Sequence, residues 1–362
     1  MATKTTDQKR FIKSDLVILI GGSTAVFAAG IAHYWHLNSI AAFFSSALAV
    51  TLLASLVGRS VEQLGDRFGP GATGVLQSAL GNLPELFISI FALKAGLVNV
   101  VKAALVGSIL SNLLLVLGLA FLVGGLKHGT QKLGSNRART ILILMLLSVM
   151  ALAIPSIAHW IHSPAAPHEE SFSLIVSIVL LVLFILYLPA SLMSKRTALP
   201  AEEKVTSALR WPLWLALSLL VVASILAAFV SDWFVTALEP SMKALHISDA
   251  FSGLVIVAIA GNAIENVVGI QLAAKGQSEY AFSVIINSPL QITLVLAPVL
   301  VIVSQVFGFS ALTLVFSPML VAGLFLSIIL AAFVSFDGES NWLEGAALIS
   351  IYIIIAAAFW WG

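Results

Sequence analysis

Hydrophobic positions run along this chain in long blocks separated by short polar turns, and each block is about as long as a bilayer is thick. The hydrocarbon core asks for roughly 20 apolar residues per helical crossing. On that measure the 362 residues predict eleven transmembrane helices, near 15–35, 38–57, 71–95, 101–125, 138–158, 171–193, 211–231, 250–275, 280–306, 311–334 and 342–361. The expected fold class is an all-α membrane protein. Polar turns follow apolar ones at the ends of the second and seventh spans, so those boundaries are the least defined. A cleaved signal peptide would also begin with a basic stretch, but the first apolar run is longer than a signal core and is read as a retained helix.

One polar pattern is written twice inside this apolar background. Gly81-Asn82-Leu83-Pro84-Glu85 and Gly261-Asn262-Ala263-Ile264-Glu265 carry the same spacing in two distant blocks. The same offset pairs Ile90 with Ile270, Gly96 with Gly276, Ser108 with Ser288, Leu110 with Leu290 and Leu114 with Leu294. Chance likeness between apolar helices would share Leu and Val, but would not keep Gly, Asn, Glu and Ser in register. The chain therefore divides into an N-terminal segment and first helix (1–37), a first repeat (38–193), a cytoplasmic linker (194–210) and a second repeat (211–362). Each repeat holds five spans. Five is odd, so the second copy enters the membrane from the opposite side, giving two inverted five-helix repeats whose motifs can face each other near the midplane.

Composition agrees and adds orientation. A chain with 60% hydrophobic residues, 10% charged residues and a mean hydropathy of +1.06 is no ordinary soluble domain. The absence of cysteine excludes disulfides, thiolate metal sites and thiol redox chemistry. With the N-terminus in the cytoplasm, all of the 18 Lys and Arg except Lys94, Lys102 and Lys243 fall on the inside. That bias sets the N-terminus inside and the C-terminus outside. No nucleic-acid patch or low-complexity tract is present.

The repeated motif supplies the chemistry. A carboxylate in hydrocarbon is costly and marks function by default. Glu85 and Glu265, facing each other, would repel unless a cation or protons neutralised them. Such a site holds one kind of occupant or the other, which is the physical basis of exchange. Hard cations take six to eight oxygen ligands. Asn82 and Asn262 lie three residues before each Glu and so share its helix face. Ser108 and Ser288 offer oxygens at matching positions, with Asn112 and Gln291 close by. Pro84 has no N–H to give the carbonyl of Leu80. A second acidic pair, Glu62 and Glu239, precedes the two motifs and is expected nearer the membrane surfaces, where it would attract cations or relay protons. His33, His36, His159, His162 and His168 are too scattered for a metal site, and Asp337 to Glu344 is expected to cap the start of the last helix.

These motifs, with Gly107-Ser108-Ile109-Leu110-Ser111-Asn112 and Asp337-Gly338-Glu339-Ser340-Asn341, resemble the cation/proton exchanger branch of the calcium/cation antiporter superfamily over essentially the whole chain. The resemblance implies a secondary antiporter, not an enzyme, that exports Ca2+ from the cytoplasm in exchange for H+ by alternating access. It assigns ion coordination to Glu85 and Glu265, with support from Asn82, Asn262, Ser108, Ser288 and Gln291, and matches Glu62 and Glu239 to acidic residues of that family. It calls for no cofactor, since Ca2+ is cargo. The partners implied are Ca2+, H+ and the lipid bilayer, of a prokaryotic cytoplasmic membrane, with a homo-oligomer left open. Three positions depart from the pattern: Pro84, Asn266 (where His is common) and Asn287. They bear on ion choice, and the rival expectation is the same fold exchanging Na+ for Ca2+ or for H+.

Overall fold

The computed structural model describes residues 13–68, 80–133, 135–197 and 211–361, with the backbone alone for 13, 65–68, 135–138, 189–197 and 263–265. Apolar blocks become helices because lipid offers no partner to a backbone N–H or C=O, and a helix satisfies both within itself. In chain order these are α1 (Lys13–Tyr34), α2 (Ser39–Phe68), α3 (Leu83–Lys94), α4 (Val98–His128), α5 (Ser135–Trp160), α6 (Glu169–Thr197), α7 (Leu213–Leu245), α8 (Asp249–Gly261), α9 (Ala263–Ala274), α10 (Ser278–Val306), α11 (Pro318–Val334) and α12 (Trp342–Trp360). Among the described residues, eight helices are long and apolar enough to cross a bilayer, and nine if α8 and α9, bent by 62° at their junction, count as one crossing. The start of the expected span 71–95 lies outside the described residues up to position 79.

Two helices outrun the expected spans. α2 continues to Phe68 and α7 to Leu245, because Glu62, Gln63 and Glu239 extend the helix instead of ending it. At 33 residues, α7 measures roughly 50 Å. It lies along α2, with Phe43 stacked on Phe234 at 5.1 Å and the Trp211 N–H donating to Gln63 Oε1 at 3.2 Å. α1 is fastened to α2 by a 3.1 Å ion pair between buried Asp15 and Arg59.

The centre is made by α4 and α10, the most buried helices, with α8 crossing α4. Gly107 and Gly253 permit that crossing. A Cβ on Gly107 would sit 2.2 Å from the Leu254 carbonyl oxygen, and one on Gly253 would sit 2.3 Å from that of Val100. Small residues let membrane helices approach backbone to backbone. Both α4 and α10 widen into π-helical turns, Ser111–Val116 and Ile292–Leu296, just after their Ser108 and Ser288.

The expected span 311–334 is corrected. Helix begins only at Pro318, whose ring suits the first helical position, and residues 309–317 run extended. Leu312, Leu314 and Phe316 are buried alternately along it. Its polar backbone is satisfied by side chains from four helices. Leu312 N–H donates to Ser304 Oγ at 3.0 Å and Leu314 N–H to Ser173 Oγ at 2.9 Å. Phe316 N–H donates to Ser156 Oγ at 2.9 Å, while that hydroxyl donates to the Leu314 carbonyl at 3.0 Å. Lys102 Nζ donates to Thr313 Oγ1 at 3.0 Å and the Val315 carbonyl at 2.7 Å. Non-helical backbone survives at such depth only when protein buries and partners it. At the other end of the molecule, Gln131–Lys132 (β1) pairs antiparallel with Glu339–Ser340 (β2). The cap expected at 337–344 is present: Asn341 Oδ1 accepts from Leu343 and Glu344 N–H, and Glu344 Oε2 accepts from Asn341 N–H.

Candidate ion-binding site

Both copies of the motif interrupt their helix at the same residue. Asn82 has φ −97° and ψ 16°, and Asn262 has φ −96° and ψ 18°. Only the first copy contains proline, so the break belongs to the Gly-Asn pair. Pro84 merely occupies the first turn of α3, where its missing N–H costs nothing. A new helix starts after each Asn, placing Glu85 in the first turn of α3 and Glu265 in the first turn of α9. That end of a helix carries partial positive charge and favours a carboxylate or bound anion. The Glu265 side chain lies outside the described residues.

Glu85 is buried, and the second motif holds it. It packs against Gly261, where a Cβ would stand 2.3 Å from Glu85 Cγ. Asn262 Nδ2 donates to Glu85 Oε1 at 2.6 Å, to Ser108 Oγ at 2.8 Å and to the Ala258 carbonyl at 2.9 Å. The Ser108 hydroxyl donates to the same Glu85 oxygen. Asn112 Nδ2 lies 3.2 Å from Asn262 Oδ1, 2.9 Å from the Ser108 carbonyl and 3.4 Å from Ser288 Oγ. Four elements thus converge: α3 with Glu85, α4 with Ser108 and Asn112, the α8–α9 break with Asn262, and α10 with Ser288.

Of the residues picked out from sequence, Glu85, Asn262, Ser108 and Ser288 meet in one buried cluster. Gln291 is buried on α10 one turn beyond Ser288. Asn82 is half-buried at the start of α3. Glu62 and Glu239 are not part of the cluster. Both are exposed, Glu62 near the end of α2 and Glu239 near the end of α7 in a 2.7 Å ion pair with Lys243. Asn112, in sequence a neighbouring oxygen donor, sits at the centre of the network. Its spacing of four from Ser108, one helical turn, is the signal that singles it out. Asn112 is fully buried and its Oδ1 has no hydrogen-bond partner among the described residues.

The donor set is oxygen-rich and thiol-free, which suits a hard cation. A cavity of about 10 Å3, lined by Glu85, Ser89, Ala104, Leu105, Ser108, Val257 and Leu296, adjoins the carboxylate. That is space for about one water-sized particle. Asn262 turns its Nδ2, not Oδ1, toward Glu85, so its amide must turn over before both could grip one cation.

Comparison with known proteins places this arrangement. The family model described as sodium/calcium exchanger protein matches residues 38–193 and 215–361, the two halves separately. A Ca(2+)/H(+) antiporter of Aphanothece halophytica is 34% identical over 347 residues, covering 90% of this chain and 92% of that protein. The chain belongs to the calcium/proton antiporters of the sodium/calcium exchanger family. The Ca(2+)/H(+) antiporter ChaA of Bacillus subtilis (strain 168), another member, is 35% identical over 348 residues, covering 94% of this chain and 97% of that one. The solved structure of native YfkE superposes with a TM-score of 0.82 at 33% identity, over 95% of this chain and 99% of that chain. Family membership and the membrane fold agree with what the motifs imply.

Proposed function

We propose that this protein is a secondary antiporter that moves Ca2+ out of the cytoplasm in exchange for H+ by alternating access. The observation that carries this is the joining of the two motifs: the carboxylate of the first copy rests on the Gly and Asn of the second. Relatives named as Ca(2+)/H(+) antiporters at about a third identity along nearly the full chain support it. Glu85 and Glu265 bind Ca2+ when deprotonated and release it on taking up protons. Asn82, Asn262, Ser108, Ser288 and Gln291 contribute oxygens or orient the carboxylates. Glu62 and Glu239 serve ion entry or proton relay at opposite mouths. The topology is eleven spans, one extra helix followed by two inverted five-helix repeats. The N-terminus is inside and the C-terminus outside, in a prokaryotic cytoplasmic membrane.

Each pH unit across the membrane supplies about 1.4 kcal/mol per proton, so more than one proton per calcium helps against a steep calcium gradient. The test is 45Ca uptake into inside-out vesicles driven by a proton gradient. Glu85→Gln and Glu265→Gln should each abolish it, and uptake surviving both would reject the site. Replacing the proton gradient by a sodium gradient should give no uptake; uptake there would turn the assignment to sodium exchange.

A further inference from the structure

A crevice of about 380 Å3 opens between α3 and α7, lined by none of the residues of the ion cluster. Phe87 and Phe91 of α3 form one wall, and Ile225 and Phe229 of α7, both more than half exposed, form the rim. Between them the small residues Ser224 and Ala228 leave a floor one helical turn apart. The groove from Ser224 to Asp232 is roughly 12 Å long at 1.5 Å per residue. At one end it carries opposite charges, Lys94 on α3 and Asp232 on α7. Among the described residues no ion pair within 4.0 Å joins the two.

We infer that this crevice binds one phospholipid whose headgroup has both a phosphate and a primary ammonium. An acyl chain fills the groove between the phenylalanines, where the exposed wall faces bilayer and water gains nothing. The headgroup lies between the charges, its phosphate on Lys94 and its ammonium donating to Asp232. An anionic headgroup satisfies Lys94 but brings like charge to Asp232. A quaternary ammonium offers no N–H to that carboxylate, whereas a primary one has three. The lipid thereby wedges α3, which carries Glu85, against the long α7. On the proposed topology this is the outer leaflet; the binding itself requires only that the chain be embedded in lipid.

The experiment is native mass spectrometry of the full-length protein released from mild detergent. Phosphatidylethanolamine, phosphatidylcholine and phosphatidylglycerol of identical chains serve as probes. One phosphatidylethanolamine should be retained about tenfold better than the others, the scale of one charge-assisted contact. Ala228→Trp, which fills the floor, should lose it. Lys94→Gln and Asp232→Asn should each erase the headgroup preference, and Lys94→Glu combined with Asp232→Lys should restore part of it. Equal retention of the three lipids, or a preference untouched by Lys94→Gln, would mean annular lipid only and overturn the inference. Because the readout is binding, these outcomes are independent of which ions the protein exchanges.

Discussion

Gly261→Ala is a one-carbon change that should disable transport while leaving the fold intact. The new Cβ would stand 2.3 Å from Glu85 Cγ and 3.1 Å from both its Cδ and Oε1. Ordinary contact begins at 3.4 Å, so Cγ must retreat by about 1.1 Å and carry the carboxylate with it. Such a shift breaks its bonds from Asn262 Nδ2, at 2.6 Å, and from the Ser108 hydroxyl. Hydrogen bonds to a charged group are worth about 1.5–3 kcal/mol each. At about 1.4 kcal/mol per factor of ten, a displaced Glu85 carboxylate that fails to make one contact of that size with the ion lowers calcium affinity or turnover about 10- to 100-fold. Overpacking itself costs about 1–3 kcal/mol of stability, so protein remains to assay. The comparison is Gly22→Ala, where the nearest atom is Leu52 Cβ at 3.7 Å. The assay is the calcium dependence of 45Ca uptake, with thermal unfolding of both variants alongside. Gly261→Ala with uptake indistinguishable from Gly22→Ala would refute the view that Glu85 needs this position.

Two further outcomes can be measured in the same system. On the proposal that protons and Ca2+ compete for the same carboxylates, apparent calcium affinity should rise with pH on the loading face and fall as that face is acidified; a pH-independent affinity there would contradict a shared site. Ser156→Ala removes partners from both the Phe316 N–H and the Leu314 carbonyl, whereas Ser173→Ala removes one, from the Leu314 N–H. With about 1–3 kcal/mol per orphaned buried group, Ser156→Ala should lower the unfolding temperature more than Ser173→Ala, and the reverse order would mean that these hydroxyls are not the main support of the extended segment.

The parts legible in the sequence are those governed by solvent. Continuous apolar blocks of about 20 residues read as helices because a helix satisfies its own backbone in lipid, and the doubled Gly-Asn-x-x-Glu stands out because each of its polar atoms is expensive in that setting. The parts not legible are settled by remote partners. Residues 309–317 are as apolar as a helix, and nothing local reveals that Ser156, Ser173, Ser304 and Lys102 will satisfy an extended backbone there. The end of a span is likewise not the end of a helix. Glu62 and Glu239 are good helix residues that carry α2 and α7 past the apolar run. Asn112 does not stand out through the repeat, because it has no polar counterpart in the second half, where Ile292 takes the place 180 positions on.

That asymmetry bears on how two halves carrying one repeated motif would share an ion, as proposed. The motif copies match in backbone angle at Asn82 and Asn262, but their surroundings differ: Asn112 supports Asn262 Oδ1 from α4, and the matching place on α10 is apolar. Asn262 is therefore oriented by a neighbour with its Nδ2 toward Glu85, and turning it over must also break the contact with Asn112. The same Asn112 carries the Oδ1 that has no partner among the described residues, a buried acceptor that a cation or a re-aimed donor would satisfy. Cation entry and amide reorientation thus relieve each other's costs. The Glu85 carboxylate held in this way has one arrangement built on donors, and the proposed function gives it a second built on a metal ion. Exchange needs both to lie close in free energy, and an oxygen left unpaired among the described residues, at the centre of the donor-built arrangement, is a physical means of keeping it from being too stable.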